Sequence, residues 1–305
     1  MSLSSRRRSS VWVLLVSLLL VAVQTDARTS TGPKAKAERQ RWPTRRPVLA
    51  PELRVMPALG PIPFEQGERL RFKVRMLGLD AGEVMLGVGY RTRFEGHPIV
   101  PLVGWVRSSS ALSAFYPIDD RLDVLVDERT FLPVQIDFVL REAGNAFSMH
   151  TRFEQERRFL ETTRKRGSAK ALTRNFSPAG PVFDALSSVY AARRMALTPG
   201  QRFSYFIWDG RRERLITVHV SGFEKVWTEL GFFDTVKVDL TGQITGGFIE
   251  PKDLDQPPQK GTAWIGLDPH RTPVKVVTPT RLGDAVGLLV HRGVELAPAP
   301  PSAAP

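Results

Sequence analysis

Between Phe64 and Glu295 the dominant hydrophobic period is two. Leu70, Phe72, Val74 and Met76 alternate with Arg69, Arg71, Lys73 and Arg75. Val134, Ile136 and Phe138 alternate with Gln135 and Asp137, and Val236, Val238 and Leu240 alternate with Lys237, Asp239 and Thr241. Alternation of this kind sets one face of a sheet on a core and the other in water, the habit of antiparallel strands. About ten to thirteen strands are expected on this criterion, with Phe72 and Val236 buried and Lys73 and Lys237 outward.

Only one segment has a helical period. Asp184 is a good N-cap, Leu186, Val189, Tyr190 and Leu197 recur at helical spacing, Arg193 and Arg194 suit the C-terminal dipole, and Thr198-Pro199-Gly200 ends the run. The predicted fold is therefore β-rich: a curved antiparallel sheet or incomplete barrel carrying one short helix. Two halves show parallel patterns. Gly67 and Gly200 each open an alternating strand, while Asp127 before Pro133 and Asp268 before Pro273 each mark a strand, a turn and a returning strand. A duplication relating 67–136 to 200–276 would produce this, proline standing where a strand start tolerates its missing N–H.

Outside this domain the patterns change. Arg6, Arg7 and Arg8 precede an apolar run from Val11 to Val23, broken only by Ser17. As a helix that run spans roughly 20 Å, short of the ~30 Å core of a bilayer. It reads as a secretory signal peptide over 1–27, cleaved after Ala27 in Thr25-Asp26-Ala27, and not as a permanent transmembrane helix. Residues 28–63 are rich in Pro and Arg and read as a disordered linker; 64–296 form a single domain; 297–305 form a disordered tail.

The chain has no cysteine, which removes disulfides, thiolate metal sites, thiol catalysis and the bacterial lipoprotein route. The formal net charge is +12. In an exported protein such an excess suits anionic lipid head groups, lipopolysaccharide or wall polymers better than nucleic acid. Local catalytic signatures are missing. His97, His150, His219, His270 and His291 form no HExxH or H-x-H pair, and no Gly-x-Ser-x-Gly elbow exists. Gly87-Val88-Gly89 lacks the rest of a nucleotide fingerprint, and Asp253-Leu254-Asp255 lacks the Gly and Glu of a calcium loop. No catalytic residue, metal ligand or cofactor is assigned, and the chain is read as non-enzymatic.

Phe64-Glu65-Gln66-Gly67-Glu68, Leu79-Asp80-Ala81-Gly82-Glu83, Asp184-Ala185-Leu186-Ser187-Ser188-Val189-Tyr190 and Ala263-Trp264-Ile265-Gly266-Leu267-Asp268 follow one another in order. Together they resemble the bacterial domain-of-unknown-function family numbered 3108, over about 64–294. The resemblance implies an exported, envelope-associated protein of Gram-negative bacteria, periplasmic or attached to the outer membrane, and brings no reaction or ligand. At the level of fold, the strand–Asp–turn–Pro–strand pattern is more distantly similar to the half-barrel carriers that move lipoproteins across the periplasm.

Two features remain for recognition. The segment from Thr245-Gly246-Gly247-Phe248 to Gly261 is long for a hairpin loop and presents Phe248 and Ile249. The aromatics Trp105, Phe115, Tyr116, Trp208, Trp227, Phe232, Phe233 and Trp264 either fill the core or line a groove. The expected function is non-catalytic binding of an amphiphile, such as a lipid, a lipoprotein or another anionic envelope component, in a concave apolar face. Leu186, Val189 and Tyr190 would form one wall, Trp208, Trp227 and Trp264 the other, with Arg193 and Arg194 holding an anionic head group. The alternative is a structural partner in an envelope complex, and an enzyme of unrecognised type comes third. The sequence sets no oligomeric state.

Overall fold

The computed structural model describes residues 42–53, 56–280 and 283–295; the signal-peptide reading and the tail lie outside them. The first half runs β1 (Glu68–Met76), β2 (Leu79–Val88), β3 (Thr92–Phe94), β4 (His97–Ser108), a four-residue helix α1 (Ser110–Ser113), β5 (Asp119–Asp127), β6 (Pro133–Glu142), β7 (Asn145–Glu154), β8 (Phe159–Arg166) and β9 (Leu172–Phe176). The second half runs β10 (Val182–Phe183), α2 (Ala185–Arg194), β11 (Arg202–Trp208), β12 (Arg212–Thr228), β13 (Gly231–Gly247), β14 (Gln259–Gly266), β15 (Pro273–Thr280) and β16 (Gly283–Val294).

Among the described residues, all sixteen strands join one sheet. Each half is a meander, and the two are joined where the last strand, β16, pairs antiparallel with the first, β1. Every pairing is antiparallel except β10 with β11. The sheet does not close: β9 and β10 are its free edges. No ladder joins those two edges to each other, and aromatic packing spans the gap. Phe176 at the end of β9 stacks on Trp208 of β11 at 5.2 Å between ring centroids, and Gly246 of β13 lies against Phe176.

The expected period holds. Phe72 and Val236 are buried, whereas Lys73 and Lys237 are partly exposed. The proline turns are also alike. Pro133 opens β6 and Pro273 opens β15, the fifth strands counted from β1 (with the side strand β3 set apart) and from β11. Asp127 accepts from Thr130 N and Oγ1, and Asp268 from His270 N, Thr272 N and Thr272 Oγ1. Two residues before each proline the backbone turns left-handed, at Phe131 (φ 57°) and Arg271 (φ 51°).

The linker expectation needs correction. Its described part, 42–53 and 56–63, lies along the sheet. Thr44 bridges Gly246 and Arg45 N donates to Thr245 O, so the segment adds a short rung to β13. Trp42 Nε1 donates to Asn175 O of β9, and Arg46 Nη2 to Ser177 O. One extended strap thus touches both sides of the open seam. Proline-rich composition allows a docked, mostly extended chain with one short 3-10 turn at Pro51–Leu53, and the Trp42 ring against Phe248 at 5.1 Å supplies the anchor.

Candidate functional site

Helix α2 closes the end of the sheet at which the β5–β6 and β14–β15 turns lie. It starts with a capping box: Asp184 accepts from Leu186 N at 2.8 Å and from Ser187 N, while Asp184 N donates to Ser187 Oγ at 3.0 Å. Burial pushes the Asp184 carboxyl up, against these hydrogen bonds that hold it down. Leu186 and Tyr190 are fully buried, with Tyr190 edge-on to Phe64 at 4.9 Å, and Val189 is partly buried.

The two arginines ending α2 are structural clamps, not the mouth of a pocket. Arg193 Nη1 and Nη2 donate to the two carboxylate oxygens of Glu68, the second at 2.8 Å, and its Nε and Nη2 also donate to the carbonyls of Arg271 and His270. Phe64 and Tyr190 both lie against the guanidinium. Arg194 Nε donates to Gly60 O at 2.8 Å and its Nη1 to Glu128 O and Arg129 O, with Phe131 under the guanidinium. Each arginine therefore holds one of the two similar proline turns. Arg193 is fully committed to these bonds, and Arg194 is tied through Nε and Nη1 while staying partly exposed, so both hold α2 to the turns.

The aromatic wall is dispersed as well. Trp208 is buried at the far end, between Phe176 and Phe248. Trp264 belongs to a separate cluster with Val226 and Val274, with Lys275 Nζ 4.4 Å from its ring centre. Trp227 is exposed. Phe248 and Ile249 are buried instead of presented, because the loop folds back over the seam. The core cluster runs unbroken from Phe64 through Val124, Phe203 and Val236 to Leu289, so the concave face is filled by side chains from both halves and α2. A cleft of about 380 Å³ does lie near α2, but Glu65, Glu68, His270 and Arg292 make its lining polar. Among the described residues no three His, Cys, Asp or Glu side chains gather as a metal-binding set.

Two other constellations do form. The first is the free end of the β12–β13 hairpin. A bulge between Val220 and Gly222 sets its base, and Trp227 faces Phe232 across the ladder as Phe223 faces Val236. Phe223, Trp227 and Phe232 thus share the side that carries Val236 into the core, but stand 66%, 60% and 71% exposed. Leu230 at the turn and Leu267 at the root are exposed too. Pairs such as Lys225–Asp234 and Lys237–Glu224 leave the local charge balanced. Alternation had placed Trp227 and Phe232 among core or groove residues. The missing information was that these strands, seventeen residues each, outrun their neighbours.

The second constellation lies at the seam, at the far end from α2. Residues Trp208-Asp209-Gly210-Arg211-Arg212-Glu213-Arg214 form the β11–β12 turn. Gly210, at φ 85°, packs so closely on Met149 of β7 that a Cβ would collide with it. Arg212 and Arg214 are buried, and Arg164 of β8 and Arg174 of β9 reach toward the same turn.

The molecule is thus an open, barrel-like antiparallel sheet stoppered by one helix. A family model matches residues 71–290, and the chain belongs to that family, described as a protein of unknown function, DUF3108. Among solved structures it is similar to a β-barrel-like protein of DUF1849 from Brucella abortus, at 12% identity and a TM-score of 0.47, over 75% of this chain and 97% of that one. It is also similar to a protein from Bacteroides fragilis provisionally described as exported, with a YmcC-like fold (10% identity, TM-score 0.33, 78% of this chain and 100% of that one). A protein from Parabacteroides distasonis provisionally described as a lipoprotein gives 11% identity and a TM-score of 0.32, over 79% of this chain and 100% of that one. No curated protein matches the sequence. Among the described residues no helix is long and apolar enough to cross a membrane.

Proposed function

We propose that this is an exported, non-catalytic protein of the cell envelope that docks on an anionic lipid surface through the free end of the β12–β13 hairpin. The observation that carries the reading is the exposure of Phe223, Trp227 and Phe232 on one side of a projecting hairpin, with Leu230 at its tip. Aromatic side chains of this kind favour the boundary between head groups and acyl chains. Burial of such a patch contributes roughly 25 cal/mol per Å² removed from water. The net charge of +12, which is +10 once residues 1–27 are removed, adds attraction to anionic head groups, and the apolar segment from Val11 to Val23 supports export. The lipid-like ligand expected in a concave face is thus met from outside, since the concave face is occupied by core residues.

Flotation with vesicles of phosphatidylethanolamine and phosphatidylglycerol tests this, using protein purified from the envelope fraction. The wild type should float with a blue-shifted tryptophan emission. W227A/F232A, changed at two exposed positions, should retain its melting temperature and lose at least tenfold in partitioning. Equal flotation of the two proteins would sink the reading. Absence of flotation by the wild type would move the hairpin to the structural-partner alternative.

A further inference from the structure

The arginines of the seam are too deeply placed and too poorly matched to be explained by the fold alone. Arg212 and Arg214, two residues apart on β12, point to the side that Ile216 and Val218 take further along the strand. They are only 1% and 2% exposed. Buried charges are normally paired and hydrogen-bonded, because an isolated one is costly to desolvate. Arg214 Nε donates to Asp209 Oδ2 at 3.2 Å, but its Nη2 has no acceptor among the described residues. Among the described residues Arg212 finds no acceptor for Nε or Nη2, so the side-on edge of its guanidinium is unused there. Arg164 of β8 leaves its buried Nε unpartnered too. Asp209 cannot make up the deficit, since its Oδ1 already accepts from the backbone N–H groups of Arg211 and Arg212.

Arg164, Arg212 and Arg214 therefore gather around the single carboxylate of Asp209, because the other buried carboxylate of the turn, Glu213, is taken up by Arg46, Ala179 N and Thr245 Oγ1. Burial and the nearby cations Arg211, Arg174 and Arg212 bring the Arg164 pKa down to about 10. Arg211 is engaged elsewhere, with Phe248 O and Asp253, and Arg174 lies against the rings of Trp42 and Phe248. A compact dianion with several acceptor oxygens supplies both what the charge lacks and what the free N–H edges lack. A phosphate group does so, and the Nε/Nη2 edge of arginine takes two of its oxygens at once. A carboxylate would leave one charge unmatched. We propose that Arg164, Arg212 and Arg214 form a binding site for a phosphate group, free or borne by a phosphorylated lipid head group. The site lies in the seam and is independent of the hairpin docking proposed above.

Calorimetric titration of the envelope-purified protein, at fixed ionic strength in chloride, tests the assignment with two probes. One is inorganic phosphate; the other is dihexanoyl phosphatidic acid below its micelle concentration. Saturable binding of at least one probe is expected, with a rise in melting temperature. R212Q and R164Q should each weaken it tenfold or more, and W227A/F232A should leave it unchanged. Binding of both probes assigns free phosphate as a sufficient ligand, and binding of the lipid alone assigns a head group. The proposal falls if neither probe binds the wild type saturably, or if R164Q and R212Q bind as the wild type does. Should R212Q fail to fold, R164Q, at a partly exposed position, decides with the wild-type titration.

Discussion

Arg193 at the stoppered end and Arg212 at the seam are both withdrawn from solvent, yet their surroundings differ. Around Arg193 every direction is answered: two carboxylate oxygens of Glu68, two turn carbonyls and two aromatic faces. Around Arg212 the side-on edge of the guanidinium meets no acceptor among the described residues, and the nearby charges include the cation Arg164. Burial by itself therefore does not distinguish a structural arginine from a binding one. The count of satisfied donors does, because a fold gains nothing from a desolvated charge that it leaves unmatched.

The largest effect should come from exchanging each of these arginines for methionine, which keeps the apolar stem and removes the charge. R193M strands Glu68 as an unpaired buried carboxylate, and removing one partner of a buried pair costs about 3–5 kcal/mol. R212M relieves repulsion and a desolvation cost and strands no acceptor, so its stability in phosphate-free buffer should not fall below that of the wild type. Urea unfolding of both variants measures the contrast. A loss in R212M equal to that in R193M would erase the distinction.

A third buried charged group sharpens the comparison at a smaller scale. Asp120 and Glu142 are both buried, near Tyr116, with Asp120 Oδ1 accepting from Arg141 N at 2.9 Å. Burial raises both carboxyls, and the hydrogen bond to Asp120 and its charge raise Glu142 further. This pair answers its like charges by keeping a proton, an option that arginine hardly has. The folded pKa values lie above the unfolded ones. The pair's contribution is therefore complete below the ordinary carboxylate range and is lost as pH rises toward the folded values. Each of the two carboxyls that the fold keeps protonated and the unfolded chain ionises contributes about 1.4 kcal/mol of loss per pH unit in that window. E142Q keeps an amide donor and does not titrate, so its melting temperature should decline less than that of the wild type between pH 5 and pH 8. Parallel declines would mean that the proton is not held there.

Much of the scaffold was legible because it depends on local chemistry. Period-two alternation marked the strands around Phe72 and Val236, Asp184 marked the helix start, and Pro133 and Pro273 marked strand starts. Closure was not legible, because nothing local says that Trp42 will meet Asn175 on the β9 edge while its neighbour Arg45 meets Thr245 of β13. The same blindness misread Arg193: a basic residue near a helix end suits the dipole, and its buried partner Glu68 lies 125 residues away. Arg212 and Arg214 did leave a trace. Phe203–Trp208 is followed by Leu215–Val220, runs rich enough in apolar residues for burial on both faces. Charges at the start of such a strand fall inside the packed layers, and three of the four residues from Arg211 to Arg214 are arginine.

The smallest effect concerns the second clamp of α2. Arg194 makes the same kind of contact as Arg193 with the other proline turn, but it is only partly buried, and Gly60, Glu128 and Arg129 offer it carbonyls instead of a carboxylate. Replacing it strands no buried charge, and water can reach the released carbonyls. R194Q should therefore cost about 1 kcal/mol, the net worth of an ordinary hydrogen bond or two. Its signature should be local. Phe131 holds a left-handed backbone in the turn that Arg194 covers, and loses the guanidinium lying over its ring. Amide exchange at Thr130 and Phe131 should accelerate, while exchange at Arg271 and Thr272, under Arg193, should not change. Acceleration at both turns together would show that the clamps act as one unit through α2, and the distinction between a saturated buried arginine and its half-exposed neighbour would then not extend to the turns they hold.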